Sequence, residues 1–332
     1  NFEATESDIS VALLTDHLNT TKSKLAKQIG KRGVMEVLGD MQLLVGPPEQ
    51  LCISNAALMM FCEHLDKFFP YTQVEITKFP EGSIKNPNNF IEVPVIKGSV
   101  PTMIKRTMEK LQDMVIEEKV TKVDYQMEAI RRYSYPYQAL EEAVVNAFYH
   151  RDYQSYQAII IEIEPDCVRI ISYPGIDRSI SQKTIAEGER FKSRYYRNKR
   201  LGEFLKELDL TEGKSTGIPT IQEELRDNGS PKATFETDDE RRAVTVEIPI
   251  HPDFLMEQGE PQNEPQNEPQ NATSVEDAIL QLIRMNKYVT REEMASQIEV
   301  SLSTVKRSIN KLKTSGIIEY EGPSKGGYWS IK

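Results

Sequence analysis

Two polar residues, Glu142 and Asn146, have the spacing of a pair that could do chemistry on one face of a helix. The apolar residues around them recur at helical spacing and predict a buried stripe formed by Leu140, Ala143, Val144, Ala147 and Phe148. Because residues four apart lie one turn above the other, the carboxylate and the amide would be neighbours. Such a pair can orient a water molecule and give an oxygen ligand to a hard cation such as Mg²⁺. A core helix with two polar residues facing water would show the same spacing.

Three further polar residues, His150, Arg151 and Asp152, follow at the expected end of this helix, and the five together favour a site for a charged ligand. The run at 140–153, Leu-Glu-Glu-Ala-Val-Val-Asn-Ala-Phe-Tyr-His-Arg-Asp-Tyr, resembles the signature of the RecG-C-terminal-like family of ATP-binding bacterial regulators. That family is distantly related to the Bergerat-fold (GHKL) ATPases, which include gyrase, Hsp90, histidine kinases and MutL.

Three downstream segments resemble other motifs of that family, in the expected order. Residues 168–175 are similar to its strand followed by Asn-Pro-Gly, residues 197–201 to its Arg-Asn-Pro-x-Leu, and residues 212–218 to its Glu-x-Gly-x-Gly-Ile turn. The resemblance implies ATP and Mg²⁺ as cofactors, with Glu142 as the general base and Asn146 as the Mg²⁺ ligand. The candidate nucleotide contacts are Asn146, His150, Arg151, Asp152, Gly175, Arg197, Asn198, Gly213, Thr216 and Gly217.

The run Gly-Lys-Ser at 213–215 suggests a P-loop, but that motif also needs a glycine at position 208 and a preceding strand. Position 208 is Leu208, so a P-loop is excluded, and P-loop helicase activity with it. Gly213 and Gly217 could instead let backbone amides approach a phosphate chain near the start of the next helix. A flexible turn before a helix would explain the same glycines.

One departure from the Bergerat pattern concerns the base of the nucleotide. Bergerat ATPases place Asp-x-Gly-x-Gly after the strand, and that Asp contacts the adenine amino group. Here residues 172–177 read Ser-Tyr-Pro-Gly-Ile-Asp, with no Asp two residues before Gly175. The pocket would therefore bind a nucleotide through other contacts, or it would be vestigial. Arg197 and Asn198 could meet phosphates, although a salt bridge and a helix cap explain them equally well.

Residues 274–332 have the pattern of a winged helix-turn-helix. Helices are predicted at 275–286, 291–298 and 301–314, followed by strands at 317–320 and 328–331 around a wing at 322–327. Thr290 and Glu293 are spaced as a capping box at the start of the second helix. The order of these elements is typical of bacterial regulators that bind DNA.

The third helix of this segment is predicted to be a DNA-recognition helix. The candidate DNA contacts are Ser303, Thr304, Lys306, Arg307, Asn310 and Lys311 on its outward face, with Lys325 on the wing. The stretch 301–316 holds four basic residues and no acid, although the chain as a whole is acidic. A winged helix used only for protein contacts is the alternative interpretation.

The elements that must position these residues predict an α+β fold. Alternating patterns at 73–79, 158–164, 168–172 and 243–250 predict a mostly antiparallel sheet, with the last strand closing it, and a helix is expected from 100 to 118. Helices on one face of that sheet would give a Bergerat-like α/β sandwich. The predicted division is a helical N-terminal remnant at 1–48, a RecG-C-terminal-like domain at 49–256, a linker at 257–273 and the winged helix at 274–332. The linker repeats Glu-Pro-Gln-Asn and should be extended and flexible.

The composition fits a soluble globular protein, with 39% apolar and 28% charged residues among 332. A net charge of −10 argues against a protein coated with nucleic acid but allows a local basic face. Three scattered cysteines and four distant histidines indicate neither a disulfide framework nor a zinc site, which fits the cytoplasm. The sequence shows no signal peptide and no apolar run of membrane length. It begins at Asn1 without Met, which suggests that a preceding part has been removed.

These patterns predict a cytoplasmic, DNA-binding transcriptional regulator with a GHKL-like nucleotide-binding domain. Double-stranded DNA is the expected partner, and a homodimer is expected because regulators of this build usually bind two half-sites. Two alternatives remain. One is an Mg²⁺-dependent ATPase that acts on or with DNA, and the other is a degenerate domain that serves only for dimerisation.

Overall fold

The computed structural model describes residues 1–122, 129–188, 196–211, 217–255, 275–298, 300, 302–314, 317–321 and 327–331. The chain forms two compact units, Asn1–Pro261 and Gln262–Lys332. The predicted linker at 257–273 lies outside the described residues. The domain boundaries at 48/49 and 273/274 stay predictions.

The described residues form helices and strands in an irregular alternation. The α-helices are α1 Val11–Thr20, α2 Val34–Asp40, α3 Asn55–Phe61, α4 Val100–Val115, α5 Tyr137–His150, α6 Gln182–Ala186, α7 Lys199–Glu207, α8 Gly217–Asn228, α9 Pro252–Leu255, α10 Val275–Met285, α11 Arg291–Ile298 and α12 Leu302–Thr314. The strands are β1 Leu44–Val45, β2 Cys52–Ile53, β3 Val74–Lys78, β4 Ile91–Glu92, β5 Glu118–Thr121, β6 Ile130–Tyr133, β7 Ile159–Ile163, β8 Cys167–Ser172, β9 Thr234–Thr237, β10 Val244–Pro249, β11 Ile318–Glu321 and β12 Tyr328–Ile331.

A six-stranded sheet organises the N-terminal unit, in the order β4-β3-β7-β8-β10-β9. Only β3 and β7 pair in parallel; the other neighbours are antiparallel. The predicted α+β class is confirmed, as is the hairpin of β7 and β8. The expectation that residues 243–250 close the sheet is wrong, because β9 pairs with the outer side of β10. The four-residue β9 buries only Phe235, so its alternation is too short to stand out in the sequence.

Helix α5 lies in the middle of the N-terminal unit. One face of β7 supplies buried Ile159, Ile161 and Ile163 to the core, as the period of two requires. The apolar stripe predicted on α5 is buried in the same core. Contacts of α5 with α4, α8, β8 and β10 hold it in place. A helix fixed on several sides can present its remaining polar face rigidly.

The expectation of a helix through residue 118 is wrong at its end, because α4 ends at Val115 and Glu118 begins β5. Ile116 is already extended. The hydroxyl of Ser134 donates to the carbonyl of Val115 at 2.6 Å and accepts from the amide of Glu117 at 2.7 Å. This long-range hydrogen bonding satisfies backbone groups at the helix end and starts the β5–β6 hairpin.

Residues 1–48 share the core of the N-terminal unit. Leu14 and Leu18 of α1 and Val37 and Leu38 of α2 are all buried in the same cluster as α5. Ser10 caps α1 by accepting from the amide of Leu13. The two helices therefore contribute to the packing that supports α5.

The C-terminal unit has the element order predicted for a winged helix-turn-helix, and its fold is confirmed. Helices α10, α11 and α12 pack around a small core together with β11 and β12. The capping box of α11 is present, because Thr290 accepts from the amide of Glu293 and the carboxylate of Glu293 accepts from the amide of Thr290. Trp329 completes this core from β12.

Candidate functional site

Glu142 and Asn146 form a direct pair on the polar face of α5. The side-chain amide of Asn146 donates to Oε1 of Glu142 at 3.0 Å, and both residues are half-buried. Their neighbours Ala143 and Ala147 are buried in the core, so the helix cannot rotate to hide the pair. Because Nδ2 of Asn146 is used in this hydrogen bond, its carbonyl oxygen is the atom that could serve as a metal ligand.

Gly217, the first residue of α8, lies directly against this pair. A β-carbon added at Gly217 would be 2.5 Å from Oε1 of Glu142 and 2.5 Å from Nδ2 of Asn146. A side chain at this position would have to displace the ends of Glu142 and Asn146, so the glycine preserves the arrangement of the pair. The N-terminal end of α8, where backbone amides carry a partial positive charge, therefore meets the Glu142–Asn146 pair.

His150 continues the same stripe of α5, four residues beyond Asn146. Its ring lies 6.1 Å from that of Tyr196 and 4.9 Å from that of Tyr149. The rings of Tyr149 and Tyr196 stack 5.4 Å apart at 9°. Desolvation by the surrounding protein, together with the positive charge of Arg197, lowers the pKa of His150 to about 4, although the residue keeps an exposed surface. A neutral imidazole at pH 7 can accept or donate one hydrogen bond.

Asn198 caps the end of α5. Its side-chain amide donates to the carbonyl oxygens of Tyr149 at 2.9 Å and Arg151 at 2.7 Å. Both amide hydrogens are thereby used, which leaves only its side-chain oxygen for a ligand. Gly202 on α7 lies against the ring of Tyr149 so closely that any β-carbon would collide with it. The start of α7 therefore packs closely against the end of α5.

Arg151 turns into the core. The residue is 1% exposed, and its Nη2 donates to the carbonyl oxygen of Tyr71 at 2.9 Å. Its guanidinium lies 5.7 Å from the ring centre of Tyr153, and burial lowers the pKa of the group. Among the described residues, Nε and Nη1 have no hydrogen-bond partner. This position ties the end of α5 to the turn before β3, and a nucleotide contact by Arg151 stays a prediction.

Asp152 and Arg197 face each other beside the same helix end, with Oδ2 and Nη1 3.9 Å apart. Both side chains are more than one third exposed, so this ion pair is weak and either group could turn toward a ligand. The amide of Asp152 donates to the carbonyl oxygen of Tyr173 at 2.9 Å, which links the end of α5 to the segment after β8.

Gly175 packs against the hairpin of β9 and β10. Its amide donates to the carbonyl oxygen of Arg241 at 3.0 Å, and a β-carbon there would be 2.6 Å from the carbonyl oxygen of Ala243. The acid that follows it is Asp177, and hydrogen bonds from the hydroxyl of Ser179 and from its amide, the latter at 2.8 Å, lower the pKa of Asp177. Among the predicted residues, Glu142, Asn146 and Gly217 thus form one group. The residues His150, Asp152, Arg197 and Asn198 lie around the end of α5, and Gly175 belongs to neither group. Gly213 and Thr216 lie outside the described residues.

The sequence interpretation missed Tyr149, Tyr196 and Gly202, which build the end of α5. Their contacts join segments distant in the sequence, so no local pattern could reveal them. The one available signal was a glycine inside the helical pattern of α7, which often marks a close packing contact.

A cavity of about 580 Å³ opens between the ends of α4, α5 and α8 and strand β6. Its wall includes Arg131, Tyr133, Tyr137, Gln138 and Asn228. Neither Glu142 nor Asn146 lines it. It is therefore not the site that the paired residues of α5 could form.

Helix α12 presents the predicted basic face. Lys306, Arg307, Asn310 and Lys311 are exposed, and Thr304 is half-exposed. Val305, Ile309 and Leu312 are buried on the opposite side, as their spacing predicts. The side chain of Ser303 and all of Lys325 lie outside the described residues. The exposed cations can reach DNA phosphates or base edges.

Two segments of the chain match family models. Residues 157–247 match the model described as "Putative ATP-dependent DNA helicase recG C-terminal", and residues 275–328 match the model described as "HTH domain". The chain carries a RecG C-terminal-like ATPase domain and a C-terminal helix-turn-helix domain. The resemblance seen in the sequence is thereby confirmed. The RecG C-terminal-like match begins after α5, so it includes Gly217 but not Glu142 and Asn146.

The family descriptions suggest nucleotide binding for the RecG C-terminal-like domain and DNA binding for the helix-turn-helix domain. The crystal structure of the DIP2311 protein from Corynebacterium diphtheriae is similar in fold, with a TM-score of 0.56 and 16% sequence identity. The similarity covers 99% of this chain and 62% of that protein. A comparison with curated proteins finds no match.

Three further observations concern the described part of the chain as a whole. None of the three cysteines is in a disulfide. Among the described residues, no group of three or more His, Cys, Asp or Glu side chains is arranged to hold a metal ion. In the same part of the chain, every helix is too short or too polar to cross a lipid bilayer.

Proposed function

We propose that this protein is a bacterial, cytoplasmic transcriptional regulator whose RecG C-terminal-like domain binds ATP with Mg²⁺ and whose winged helix binds double-stranded DNA. The observation that supports nucleotide binding most strongly is the contact of Gly217 with Glu142 and Asn146. It joins an acid, an amide oxygen and the positive end of a helix, which together suit a phosphate chain and its metal ion.

The residues present fit such a ligand, because the contact at Gly217 brings a carboxylate, an amide oxygen and the start of α8 together. Asn146 would hold Mg²⁺ through its side-chain oxygen, and Mg²⁺ would neutralise phosphate charge when bound. The first amides of α8 would face the phosphates, as at other helix N-termini that bind anions. His150 and Arg197 would meet the nucleotide beside the end of α5. Asn198 would hold these groups in place through the cap of α5.

Recognition of the base would not use a carboxylate after β8. Asp177 is the first acid after Gly175, and its carboxylate is already bonded to the amide of Ser179. The packing of Gly175 against the β9–β10 hairpin suits a structural role for that turn. The proposed site therefore depends on contacts to the phosphates and the metal ion more than on contacts to adenine.

The DNA-binding function rests on α12. Lys306 and Arg307 are exposed in the N-terminal half of this helix, where a recognition helix meets base edges. Two copies of the chain would bind two half-sites as a homodimer, with the Glu-Pro-Gln-Asn segment as the tether. A duplex-binding assay tests this: Lys306→Ala with Arg307→Ala is expected to abolish binding to the cognate operator, and unchanged affinity would refute the assignment of α12. Lys110→Ala, on the exposed face of α4, is the control and should bind as wild type.

The second candidate is an Mg²⁺-dependent ATPase that acts on or with DNA. The observation in its favour is the carboxylate of Glu142 beside Asn146, where it could take a proton from an attacking water. Glu142→Gln is expected to abolish phosphate release while leaving nucleotide binding intact. An absence of hydrolysis by wild type at high enzyme concentration would exclude this candidate. Stable dimers with no nucleotide affinity would instead indicate a domain that serves only for dimerisation.

A further inference from the structure

The C-terminal unit carries a second basic surface outside α12. Residues 284–291, at the turn between α10 and α11, read Arg-Met-Asn-Lys-Tyr-Val-Thr-Arg and contain three basic residues and no acid. Arg284, Lys287 and Arg291 are all exposed, and Tyr288 is 57% exposed. With Tyr328 of β12, these residues form what we term the turn surface. Its basic character contrasts with the net charge of −10 of the whole chain.

The turn surface is held rigidly by β12. The backbone amide of Trp329 donates to the carbonyl oxygen of Lys287 at 2.8 Å, and its indole nitrogen donates to that of Val289 at 3.0 Å. Val289 is buried in the core of the unit. Residues 287–289 therefore lie alongside β12, with Lys287 and Tyr288 exposed and Val289 buried. A surface fixed in this way can bind a partner without first being ordered.

Cations and aromatic rings are interleaved on the turn surface. Nζ of Lys287 lies 4.7 Å from the ring centre of Tyr328 and 5.2 Å from that of Tyr288. The two tyrosine rings contact each other edge to face at 6.0 Å, and Arg291 lies 5.8 Å from the ring of Trp329. The rings hold the cations in place without neutralising them, so the positive charge remains available to an anionic partner.

Three acids border this surface. The hydroxyl of Tyr328 donates to Glu321 at 2.7 Å, the carboxylate of Glu293 accepts from the amide of Thr290, and Glu292 follows Arg291 on α11. None of the three lies between Arg284 and Arg291 in the sequence. Fixed ammonium and guanidinium groups beside exposed aromatic rings are the chemistry that contacts the sugar–phosphate backbone of nucleic acids. A recognition helix also needs such contacts, because base-edge contacts alone do not fix its orientation on the duplex.

We propose that the turn surface binds the sugar–phosphate backbone of double-stranded DNA as a second contact face of the winged helix. Lys287 and Arg284 would contact phosphates, and the exposed ring of Tyr288 would pack against the sugars. The inference rests on the proposed DNA-binding function of α12. It adds a second face, which would contact the DNA backbone without reading the base sequence. Its effect should be independent of the DNA sequence and sensitive to salt.

The test is a fluorescence anisotropy titration of the full chain with a labelled duplex of mixed sequence at several salt concentrations. Lys287→Gln and Arg284→Gln are each expected to lower the slope of log K against log salt by about 0.9, the value for one lost phosphate contact. Tyr288→Ala should weaken binding with little change in slope. Lys110→Gln, on α4 of the other unit, is the charge-matched control and should behave as wild type. Arg291 is left unchanged because it packs on Trp329.

The single tryptophan, Trp329, reports on folding of this unit, so unchanged emission shows that a variant is intact. Lower slopes in Lys287→Gln and Arg284→Gln with intact emission would support the proposal. Wild-type slopes in both variants, while Lys306→Ala with Arg307→Ala loses binding, would overturn it and leave the function of α12 standing. Variants that weaken binding to a single strand but not to a duplex would also overturn it. No binding of any duplex by wild type would refute the DNA-binding function itself.

Discussion

The backbone of Gly217 lies so close to the carboxylate of Glu142 that a β-carbon on Gly217 would be 2.5 Å from Oε1. These residues are far apart in the sequence and come together because α5 and α8 pack side by side. The contact places the positive end of α8 beside the only acid–amide pair that the family resemblance singles out. It is the structural basis of the proposed nucleotide site.

Gly217→Ala is expected to disrupt this contact. The added methyl group must displace the side-chain ends of Glu142 and Asn146, and because both side chains are half-buried the free energy of unfolding should change little. Affinity for an ATP analogue should fall by about tenfold or more, which corresponds to roughly 1.4 kcal/mol of binding free energy. Urea denaturation and an equilibrium titration measure the two effects. Gly30→Ala is the matched control, because nothing lies within 4 Å of a β-carbon there. Equal loss of nucleotide affinity in both variants, or no loss in Gly217→Ala, would contradict the role of Gly217.

Asn198→Ala is expected to loosen the end of α5. The variant leaves the carbonyl oxygens of Tyr149 and Arg151 without their side-chain donor, at a cost of about 1–3 kcal/mol of unfolding free energy. Because His150 and Arg197 lie at the same contact between the end of α5 and the start of α7, nucleotide affinity should fall as well. Thermal unfolding and a nucleotide titration are the measurements, with the exposed Asn19→Ala as control. Unchanged thermal stability of Asn198→Ala would show that the cap does not stabilise the fold. Unchanged nucleotide affinity would show that the cap does not position the nucleotide site.

His17→Phe is expected to reduce the sensitivity of the fold to acid. His17 is 5% exposed between Phe61 and Phe204, and its burial lowers its pKa below the ordinary 6.5, although Glu207 at 3.3 Å opposes that shift. Below pH 6.5 the unfolded chain therefore binds more protons at this position than the folded chain, and wild-type stability falls. A phenylalanine cannot be protonated and fits the aromatic surroundings.

The measurement is the free energy of unfolding between pH 7.5 and about 5, a window set by the ordinary His pKa. His17→Phe should show a shallower decline than wild type. The exposed His64→Gln should keep the wild-type decline. If His17→Phe and wild type lost stability in parallel, the protonation of His17 would not be a source of acid sensitivity.

Much of the fold follows from local sequence patterns. The stripe of α5, the β7–β8 hairpin, the capping box at Thr290 and the order of elements in the winged helix are each determined by periodicity or by caps. The end of α4 does not follow, because it depends on Ser134 from a distant segment. Strand β9 does not follow either, since only Phe235 is buried in it.

The candidate site is less predictable than the fold. The spacing of Glu142 and Asn146 is local, so their pairing could be predicted from the sequence. The approach of Gly217, the capping by Asn198 and the turning of Arg151 into the core depend on how separate helices pack. The same motif residues suit a phosphate contact or a structural contact, and only the packing distinguishes them. Asn198 illustrates this, because its amide is used on two backbone carbonyls.

The most direct test of a nucleotide site at the Glu142–Asn146 pair is an equilibrium titration of the full chain with a fluorescent ATP analogue and Mg²⁺. Wild type should bind in the micromolar range, and Asn146→Ala should lose that binding because it removes the oxygen proposed to hold the metal ion. Removing Mg²⁺ with a chelator should weaken wild type and leave Asn146→Ala little changed. Absence of binding by wild type, or equal binding by Asn146→Ala, would contradict the proposed nucleotide site and leave the helix α5 as part of the structural core.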